Sequence, residues 1–273
     1  MQCDYLVTGQ QVSQEERFVK SDGRVAVVTG GATGIGFAIA SRLAQAGYDV
    51  AVADIDSAGA ERAVEELRGL GGKAAAVCGD VGDRADAVRM MEAAARGLGD
   101  LDLLVNNAGI ARLGPLASFP EADWRELFRV NVDGVFFCCQ GVLARMMARQ
   151  RGNIVNISSW NGKLGAPNFG AYSATKAAVI SLTQALAREV ASYGIRVNAV
   201  CPGIVAGTPM RKEVERQGLA FGLPPSSDRA KTIPLRRLAT PEDIANMVAF
   251  LASDEAAYMT GQAVNVTGGL WLH

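Results

Sequence analysis

Histidine is almost absent from this chain: there is one, and it is the last residue, His273. A hydrolase of the Ser-His-Asp type needs an imidazole beside its serine, and histidine-rich metal sites need several. The sequence therefore disfavours both classes, and we predict no metal site. Any proton transfer in this protein has to use another residue type.

An excess of charge, a cysteine pairing pattern and a long apolar run are also missing. Lysine and arginine number 27 and aspartate and glutamate 28, so the net charge of −1 predicts neither a nucleic-acid partner nor an anionic membrane partner. The five cysteines are odd in number and show no CxxC spacing, which favours reduced thiols in a cytoplasmic protein. No apolar run reaches the length that a bilayer requires, and a small-molecule partner is favoured.

The first residues of the chain differ from the rest. Residues 1–22 are polar and lack the hydrophobic stretch of a signal peptide. We expect a mobile N-terminal tail there, with a surface extension that packs on a neighbour as the alternative. Residues 23–273 contain no Pro/Gly/Ser-rich linker and no repeat, so we predict one domain over that range.

Short apolar runs alternate with longer helical stretches through that domain. The predicted strands are residues 25–29, 50–54, 74–78, 101–105, 153–158, 196–201 and 263–266. Alternation of this kind implies right-handed crossovers and a parallel sheet covered by helices on both faces. The expected fold class is α/β: a single Rossmann-type, doubly wound domain with a seven-stranded parallel sheet flanked by helices.

A glycine-rich run, residues 29–36, joins the first predicted strand to a helix. Gly30, Gly34 and Gly36 would provide a tight turn, a close backbone approach to a pyrophosphate, and close packing of helix on strand. The helix start presents unpaired N–H groups to the anion. An ordinary loop is the alternative, but the strand before and the helix after favour a dinucleotide site.

Asp54 ends the second predicted strand, where a carboxylate can accept hydrogen bonds from both adenosine ribose hydroxyls. The 2′-phosphate of NADP would bring negative charge against it, and the next residues, Ile55, Asp56 and Ser57, include no arginine to offset the repulsion. We therefore predict NAD as the cofactor. The alternative role for Asp54 is to cap the following helix.

Tyr172 and Lys176 are separated by one helical turn and share a face. A free phenol titrates near pH 10, so a tyrosine that exchanges protons near neutral pH needs stabilisation of its anion. The Lys176 ammonium and an oxidised nicotinamide would both lower the phenol pKa. An exposed helix pair without function is the alternative.

These motifs together resemble the short-chain dehydrogenase/reductase family over about residues 24–269. The matching elements, in order, are Thr29-Gly-x-x-x-Gly-Ile-Gly36, Asn106-Asn-Ala-Gly109, Asn131, Ser159, Tyr172-x-x-x-Lys176 and Pro202-Gly203. The resemblance implies a catalytic tetrad of Asn131, Ser159, Tyr172 and Lys176. Tyr172 would be the general acid or base, Ser159 would bond the substrate oxygen, Lys176 would hold the nicotinamide ribose, and Asn131 would position a water.

The same resemblance implies the cofactor and substrate contacts. The expected cofactor-binding residues are Gly30, Thr33, Gly34, Ile35, Gly36, Asp54, Ile55, Asp80, Val81, Asn107, Ala108, Gly109, Tyr172, Lys176, Pro202, Gly203, Val205 and Thr208. Ser159, Asn161 and Tyr172 are the expected substrate-binding residues. The pair Ala206-Gly207 adds a residue before Thr208 and departs from many relatives, as does Thr267, where many have Asp.

The expected function is that of an NAD-dependent oxidoreductase that interconverts a secondary alcohol and its ketone by direct hydride transfer. Neighbours of the motifs mix apolar walls with amides and favour a small polar hydroxy-ketone, polyol or sugar; they are Ile110, Trp160, Asn161, Asn168, Phe169, Met210 and Phe221. Two stretches, Pro202-Gly-Ile-Val and Tyr258-Met-Thr-Gly-Gln262, are similar to those in acetoin reductases and polyol dehydrogenases of the family. A 3-oxoacyl-thioester reductase and a non-catalytic nucleotide sensor are the alternatives.

Assembly is a further expectation. The helical stretch 130–147 is apolar on more than one stripe, and the stretch 171–193 is rich in small side chains. Burial within the chain's own core would explain both, but the family resemblance implies a homotetramer.

Overall fold

A parallel β-sheet organises the chain in the computed structural model, which describes residues 23–70 and 72–273. The predicted tail, 1–22, lies outside the described residues. The strands are β1 (Val25–Thr29), β2 (Asp49–Asp54), β3 (Ala74–Cys78), β4 (Leu101–Asn106), β5 (Gly152–Ile157), β6 (Ile195–Pro202) and β7 (Ala263–Val266). They form one seven-stranded sheet in the order β3-β2-β1-β4-β5-β6-β7, and every neighbouring pair is parallel. The predicted fold class is confirmed.

Helices connect the strands and cover both faces of the sheet. They are α1 (Gly34–Gln45), α2 (Ser57–Arg68), α3 (Arg84–Leu98), α4 (Glu121–Phe128), α5 (Gly134–Ala148), α6 (Gly170–Val190), α7 (Pro209–Gly218), α8 (Ser226–Arg229) and α9 (Pro241–Ala252). Because side chains alternate along a strand, Val28 packs under α1, α2 and α9, whereas Val27 packs under α3, α5 and α6. Strands buried on both faces read as continuous apolar runs, which is why the sequence predicted them.

The sheet order fixes where a ligand can enter. From β1 the chain moves outward to β2 and β3, and it then returns to the other side of β1 to form β4. The connections at the carboxyl ends of β1 and β4 therefore diverge and leave a crevice between them. The glycine-rich run follows β1, and the segment beginning at Asn107 follows β4.

The predicted helix over 130–147 differs in its start. A π-turn over Arg129–Asp133 joins α4 to α5, and the continuous stretch Glu121–Ala148 is long and apolar enough to cross a membrane by length and composition alone. The sequence analysis found no uninterrupted apolar run of that length. The helix meets the criterion because its average hydropathy is high although polar residues interrupt it. Val142 and Met146 of α5 pack into the core, which accounts for part of its apolar character.

The predicted helix over 171–193 ends earlier as an α-helix. α6 stops at Val190, and a 3₁₀ turn over Ala191–Tyr193 leads to Gly194 at φ +68°, a left-handed conformation that glycine adopts without strain. α6 is the element that carries both Tyr172 and Lys176, so its position against β5 and β6 decides the geometry of the site.

Candidate active site

The turn between β1 and α1 needs its glycines. Gly30 and Gly34 have φ of +60° and +57°. A Cβ on Gly36 would lie 2.0 Å from the carbonyl oxygen of Gly30, and a Cβ on Gly30 would lie 2.9 Å from Cα of Ala108. The loop is thus folded so tightly on itself and on the β4 connection that side chains are excluded at these positions.

The N-terminus of α1 is left open towards the cleft. Thr33 is the N-cap residue, yet its side chain makes no cap hydrogen bond, and the first turn carries no acidic residue. The first helical bond runs from the Phe37 N–H to the carbonyl of Thr33 at 3.2 Å, so the three preceding N–H groups have no helical acceptor. This is an environment for an anion, and it fits the pyrophosphate of a nicotinamide dinucleotide.

Asn107 holds the glycine-rich loop in place. Its Nδ2 donates to the carbonyl oxygens of Thr29 and Gly30, both at 3.0 Å. The Thr29 hydroxyl in turn accepts from the N–H groups of Asn107 and Ala108 at 3.0 and 3.1 Å. The connections after β1 and β4 are therefore tied together across the crevice.

Asp54 sits at the tip of β2 and contacts two backbone amides. One carboxylate oxygen accepts from Ala32 N–H and the other from Asp56 N–H, each at 3.0 Å. The cap of α2 is Asp56, whose side chain accepts from Gly59 N–H at 3.0 Å. The alternative that Asp54 caps α2 is therefore wrong. Each oxygen keeps a second lone pair free for a ribose hydroxyl.

Asp80 forms an ion pair that the sequence did not reveal. Its Oδ2 accepts from Arg129 Nη1 at 2.6 Å, and its Oδ1 accepts from Gly82 N–H at 2.8 Å. Glu126 holds the other edge of the guanidinium. Arg129 is one turn after Glu126 and 49 residues after Asp80, so only the tertiary fold brings this cluster to the cleft.

One cleft of about 410 Å³ follows the carboxyl edge of the sheet. Every predicted cofactor-binding residue lines it, from the glycine-rich loop and Asp54 at one end to Thr208 at the other. Ser159, Asn161 and Tyr172 line it as well. The structure thus brings the expected nucleotide-binding and substrate-binding residues into a single space.

Tyr172 and Lys176 lie together on the buried face of α6. Lys176 Nζ is 5.8 Å from the centre of the Tyr172 ring and donates to the carbonyl oxygen of Ile157 at 3.0 Å. Tyr172 is 8% exposed and Lys176 is 4% exposed, so the alternative of an exposed helix pair is wrong. The neighbouring Ser158 bonds the backbone of Lys176 through its hydroxyl, whereas the Ser159 hydroxyl accepts from Asn161 N–H at 3.2 Å.

Burial shifts the pKa values of both Tyr172 and Lys176. It raises the pKa of Tyr172 to about 12, and this exceeds the lowering by a hydrogen bond with Ser159 and by the charge of Arg211. Burial also lowers the pKa of Lys176 to about 8. Desolvation is the largest cause of both shifts in the protein alone. The lowering of the phenol pKa by Lys176 together with an oxidised nicotinamide stays a prediction.

Asn131 lies in the π-turn and does not line the cleft. Its Oδ1 accepts from Ile110 N–H at 2.8 Å, while its Nδ2 donates to the carbonyl of Ile110 at 3.0 Å and to the Thr175 hydroxyl at 3.1 Å. A Cβ on Gly109 would lie 3.1 Å from Asn131 Oδ1 and 3.5 Å from Lys176 Nζ. Asn131 and Lys176 thus approach the same short stretch of backbone. π-Turns of this kind recur at functional sites.

Comparison with known proteins decides the family. The family model "short chain dehydrogenase" matches residues 24–218. The chain belongs to the short-chain dehydrogenase family. The 3-oxoacyl-[acyl-carrier-protein] reductase FabG of Staphylococcus aureus (strain Mu50) is 41% identical over 251 residues, which cover 90% of this chain and 98% of that protein.

Two solved structures share the fold of this short-chain dehydrogenase. NAD⁺-bound xylitol dehydrogenase has a TM-score of 0.88 at 32% identity and covers 92% of this chain and 100% of its own. A single-residue variant of actinorhodin polyketide ketoreductase with NADPH has a TM-score of 0.87 at 38% identity and covers 91% and 97%. The protein is therefore an oxidoreductase that acts on CH–OH groups, with a fold that binds NAD or NADP.

Thr208 of the short-chain dehydrogenase has a local structural role besides its place in the cleft. It is the N-cap of α7, and its hydroxyl accepts from Arg211 N–H at 3.1 Å. The extra residue before it is accommodated at Gly207, which has φ +73° and open space where a Cβ would stand. Thr267, the second departure, bonds the backbone of Trp271 in both directions and serves the C-terminal packing.

The substrate end of the short-chain dehydrogenase cleft matches the sequence expectation in part. Ile110, Trp160, Asn161, Phe169 and Met210 line it, whereas Asn168 and Phe221 do not. Arg211, Pro209 and Val214 of α7 line it too and were missed. The sequence offers one indication of their role, which is that they follow Thr208 closely. They reach the cleft because α7 begins at the edge of the sheet and runs along the cleft.

Potential metal ligands are dispersed in the described part of the chain. Within residues 23–70 and 72–273, no group of three or more His, Cys, Asp or Glu side chains is placed to hold a metal ion. Cys78, Cys138, Cys139 and Cys201 are free thiols, and burial raises the pKa of Cys139 to about 12.

Proposed function

We propose that this short-chain dehydrogenase uses NAD to interconvert a secondary alcohol and its ketone, with a small polar substrate such as a hydroxy-ketone, polyol or sugar. The observation that carries the proposal is that Tyr172 and Ser159 line the same cleft as the glycine-rich loop, residues 29–36, which we call the nucleotide cradle. A sensor without turnover has no need of a buried phenol, hydroxyl and ammonium at the end of its nucleotide site. A bound nicotinamide would exchange hydride with the carbinol carbon.

Tyr172 transfers the proton in this proposal. Because its pKa is raised to about 12, the phenol is protonated at neutral pH and ready to donate to a ketone oxygen. In the direction of alcohol oxidation the phenolate is required, and the Ser159 hydrogen bond favours it. Ser159 also bonds the substrate oxygen where negative charge develops. Lys176 and Asn131, both beside Gly109, complete the tetrad by holding the nicotinamide ribose and relaying the proton.

The preference for NAD depends on Asp54. Its carboxylate has one free lone pair on each oxygen at the cleft, and each charge-assisted bond to a ribose hydroxyl contributes about 1.5 to 3 kcal/mol. The adjacent side chain is Ile55, which is 69% exposed and offers no positive charge to a 2′-phosphate. The Arg129 guanidinium, at the same end of the cleft, is already paired with Asp80 and Glu126.

Asp54 and Asp56 provide a matched pair of variants for the test. The kcat/KM for NAD should exceed that for NADP in the wild type, and Asp54→Ala should lower this ratio by at least about tenfold. Asp56→Ala removes the α2 cap and should lower the free energy of unfolding by about 1 kcal/mol without changing the ratio. A wild-type enzyme that used NADP as well as NAD would refute the NAD assignment. The assignment would also fail if Asp54→Ala and Asp56→Ala had the same ratio of kcat/KM for NAD to kcat/KM for NADP.

A second candidate is a 3-oxoacyl-thioester reductase. The observation that favours it is the 41% identity to FabG over nearly the full chain. Reduction of a 3-oxoacyl thioester with NADPH, measured beside oxidation of polyols and hydroxy-ketones with NAD, separates the two candidates. Faster turnover of the thioester would select the reductase.

Assembly and location complete the proposal. We propose a cytoplasmic homotetramer in which residues 23–273 of each chain act as one domain. Phe136 on α5 is 45% exposed and Trp124 on α4 is 39% exposed, so these two helices present aromatic surface that a second copy would cover.

A further inference from the structure

Arg211 is a half-buried cation at the substrate end of the cleft, and it has no ion-pair partner among the residues that the structure describes. It is the third residue of α7, it lines the cleft, and its charge acts on Tyr172. Its Nε is inaccessible to solvent and has no hydrogen-bond acceptor. Among the carboxylates in the described part of the chain, none forms an ion pair with it. Leaving a guanidinium in this state is costly, since charges removed from water in proteins are normally paired.

The charges around Arg211 do not supply the missing acceptor. Burial lowers its pKa, and the positive charge of Arg229 on α8 acts in the same direction. Glu215, one turn further along α7, attracts the guanidinium, but its carboxylate accepts from the Ser226 hydroxyl instead. Tyr172 is neutral at ordinary pH. An anion in the cleft would therefore meet an uncompensated positive charge.

Asn161 provides a second unsatisfied polar atom in the same cleft. The residue is 7% exposed, and its Oδ1 is buried with no hydrogen-bond partner in the described part of the chain, while its backbone N–H donates to the Ser159 hydroxyl. It belongs to the turn over Trp160–Gly162 and lines the same cleft as Arg211. A donor group on a bound molecule would satisfy it.

We propose that the substrate carries a carboxylate that binds Arg211, while Asn161 Oδ1 can accept a hydrogen bond from any donor group that the substrate has. The substrate class is then a short-chain hydroxy acid and the corresponding oxo acid. This inference rests on the proposed dehydrogenase function. It narrows the small polar substrate of that function to an anionic one and makes Arg211 the residue that determines specificity.

The test measures binding without turnover. The protein, saturated with oxidised nucleotide so that a ketone cannot be reduced, is titrated by calorimetry with pyruvate, acetoacetate and levulinate. These carboxylates differ in the spacing between ketone and charge, and each is compared with its neutral amide. At least one carboxylate should bind at least tenfold more tightly than its amide, as expected for a charge-assisted bond in a partly buried site.

Variants of α7 assign the effect to one side chain. Arg211→Met should remove the preference for the carboxylate, and Arg211→Lys should keep part of it. Lys212→Met is the matched control, because it also removes one positive charge from α7, at the next position. Lys212 is exposed and does not line the cleft. The preference of Lys212→Met should equal that of the wild type. Nucleotide binding, measured for each variant, reports that the fold is intact.

Three outcomes would overturn the inference. The first is that no carboxylate binds more tightly than its amide. The second is that Lys212→Met loses the preference as much as Arg211→Met. The third is that Arg211→Met keeps the preference but weakens nucleotide binding tenfold, because the guanidinium would then serve the cofactor. Turnover of neutral alcohols is measured separately. Turnover of these alcohols without a preference for carboxylates would overturn the carboxylate inference and leave the dehydrogenase proposal standing. Carboxylate binding by Arg211 without turnover of any alcohol would overturn the dehydrogenase proposal and leave the anion site standing.

Discussion

Gly36 offers the sharpest test of the nucleotide cradle. In Gly36→Ala the new Cβ would stand 2.0 Å from the Gly30 carbonyl oxygen and 2.6 Å from Asn107 Nδ2. The first is backbone, and the second is fixed by its bonds to Thr29 and Gly30, so neither atom can yield without moving the loop. Overpacking of this kind costs about 1 to 3 kcal/mol, and the lost Asn107 bonds cost about 1 kcal/mol more.

An opposing effect has to be subtracted. Alanine is better than glycine inside a helix by about 1 kcal/mol, and Gly36 is the third residue of α1. The net expectation for Gly36→Ala is a loss of about 2 kcal/mol in the free energy of unfolding. Because the displaced loop carries the open N–H groups of α1, nucleotide affinity should fall by at least tenfold.

Gly97 in α3 is the matched control. A Cβ there would meet only Cβ of Ala75, at 4.0 Å, which is an ordinary contact. Gly97→Ala should therefore raise stability by up to about 1 kcal/mol and leave nucleotide binding unchanged. Urea unfolding and calorimetric titration with nucleotide measure both quantities. If Gly36→Ala matched Gly97→Ala in stability and affinity, the steric account of the cradle would be refuted.

Three further predictions concern the catalytic end and the assembly. Tyr172→Phe should lower kcat by a factor of about 10² to 10⁴ while nucleotide binding is retained. A Tyr172→Phe variant that kept more than about a tenth of the wild-type kcat would contradict the role of Tyr172. The control is Tyr258→Phe, because Tyr258 lies at the surface. Lys176 has its pKa lowered from 10.5 to about 8, so the unfolded state binds more protons between these values, and the free energy of unfolding should rise with pH across that window relative to Lys176→Met. A constant difference between these two proteins from pH 8 to 10.5 would contradict the burial of the ammonium. Light scattering at micromolar concentration should return a tetramer, and a monomer would contradict the proposed contact around Phe136.

Local patterns were sufficient for the sheet and the cradle. The β-branched and alanine-rich runs that became β1 and β2 are buried on both faces, and a strand in that position must be apolar at successive residues. The glycine spacing after β1 was informative because the turn itself requires glycine at these positions. Each glycine either has a positive φ or makes a contact too close for a Cβ within the same turn. The helical repeat placed Tyr172 and Lys176 on one face by the same local logic.

Contacts between distant segments were decided only by the tertiary structure. The pairing of Asp54 with the Ala32 N–H depends on how the loop after β1 meets the tip of β2. The pairing of Asp80 with Arg129 depends on how α4 and the π-turn return to the edge of the sheet. Neither pairing has a period or a motif from which to infer it.

Burial and charge explain the remaining difference. The spacing of Tyr172 and Lys176 predicted a phenol pKa lowered by the ammonium and a bound nicotinamide. In the protein alone, burial of the phenol raises its pKa, because the free energy of a charge depends on the solvent that the whole fold removes. The sequence did not single out Arg211, which lines the cleft on α7 and has a buried Nε only because of the tertiary structure. The sequence by itself determined the fold class, the glycine-rich loop and the candidate reactive groups, since the patterns that indicate them are local. The electrostatics of the site depend on which distant segments exclude water from it, and only the tertiary structure decided that.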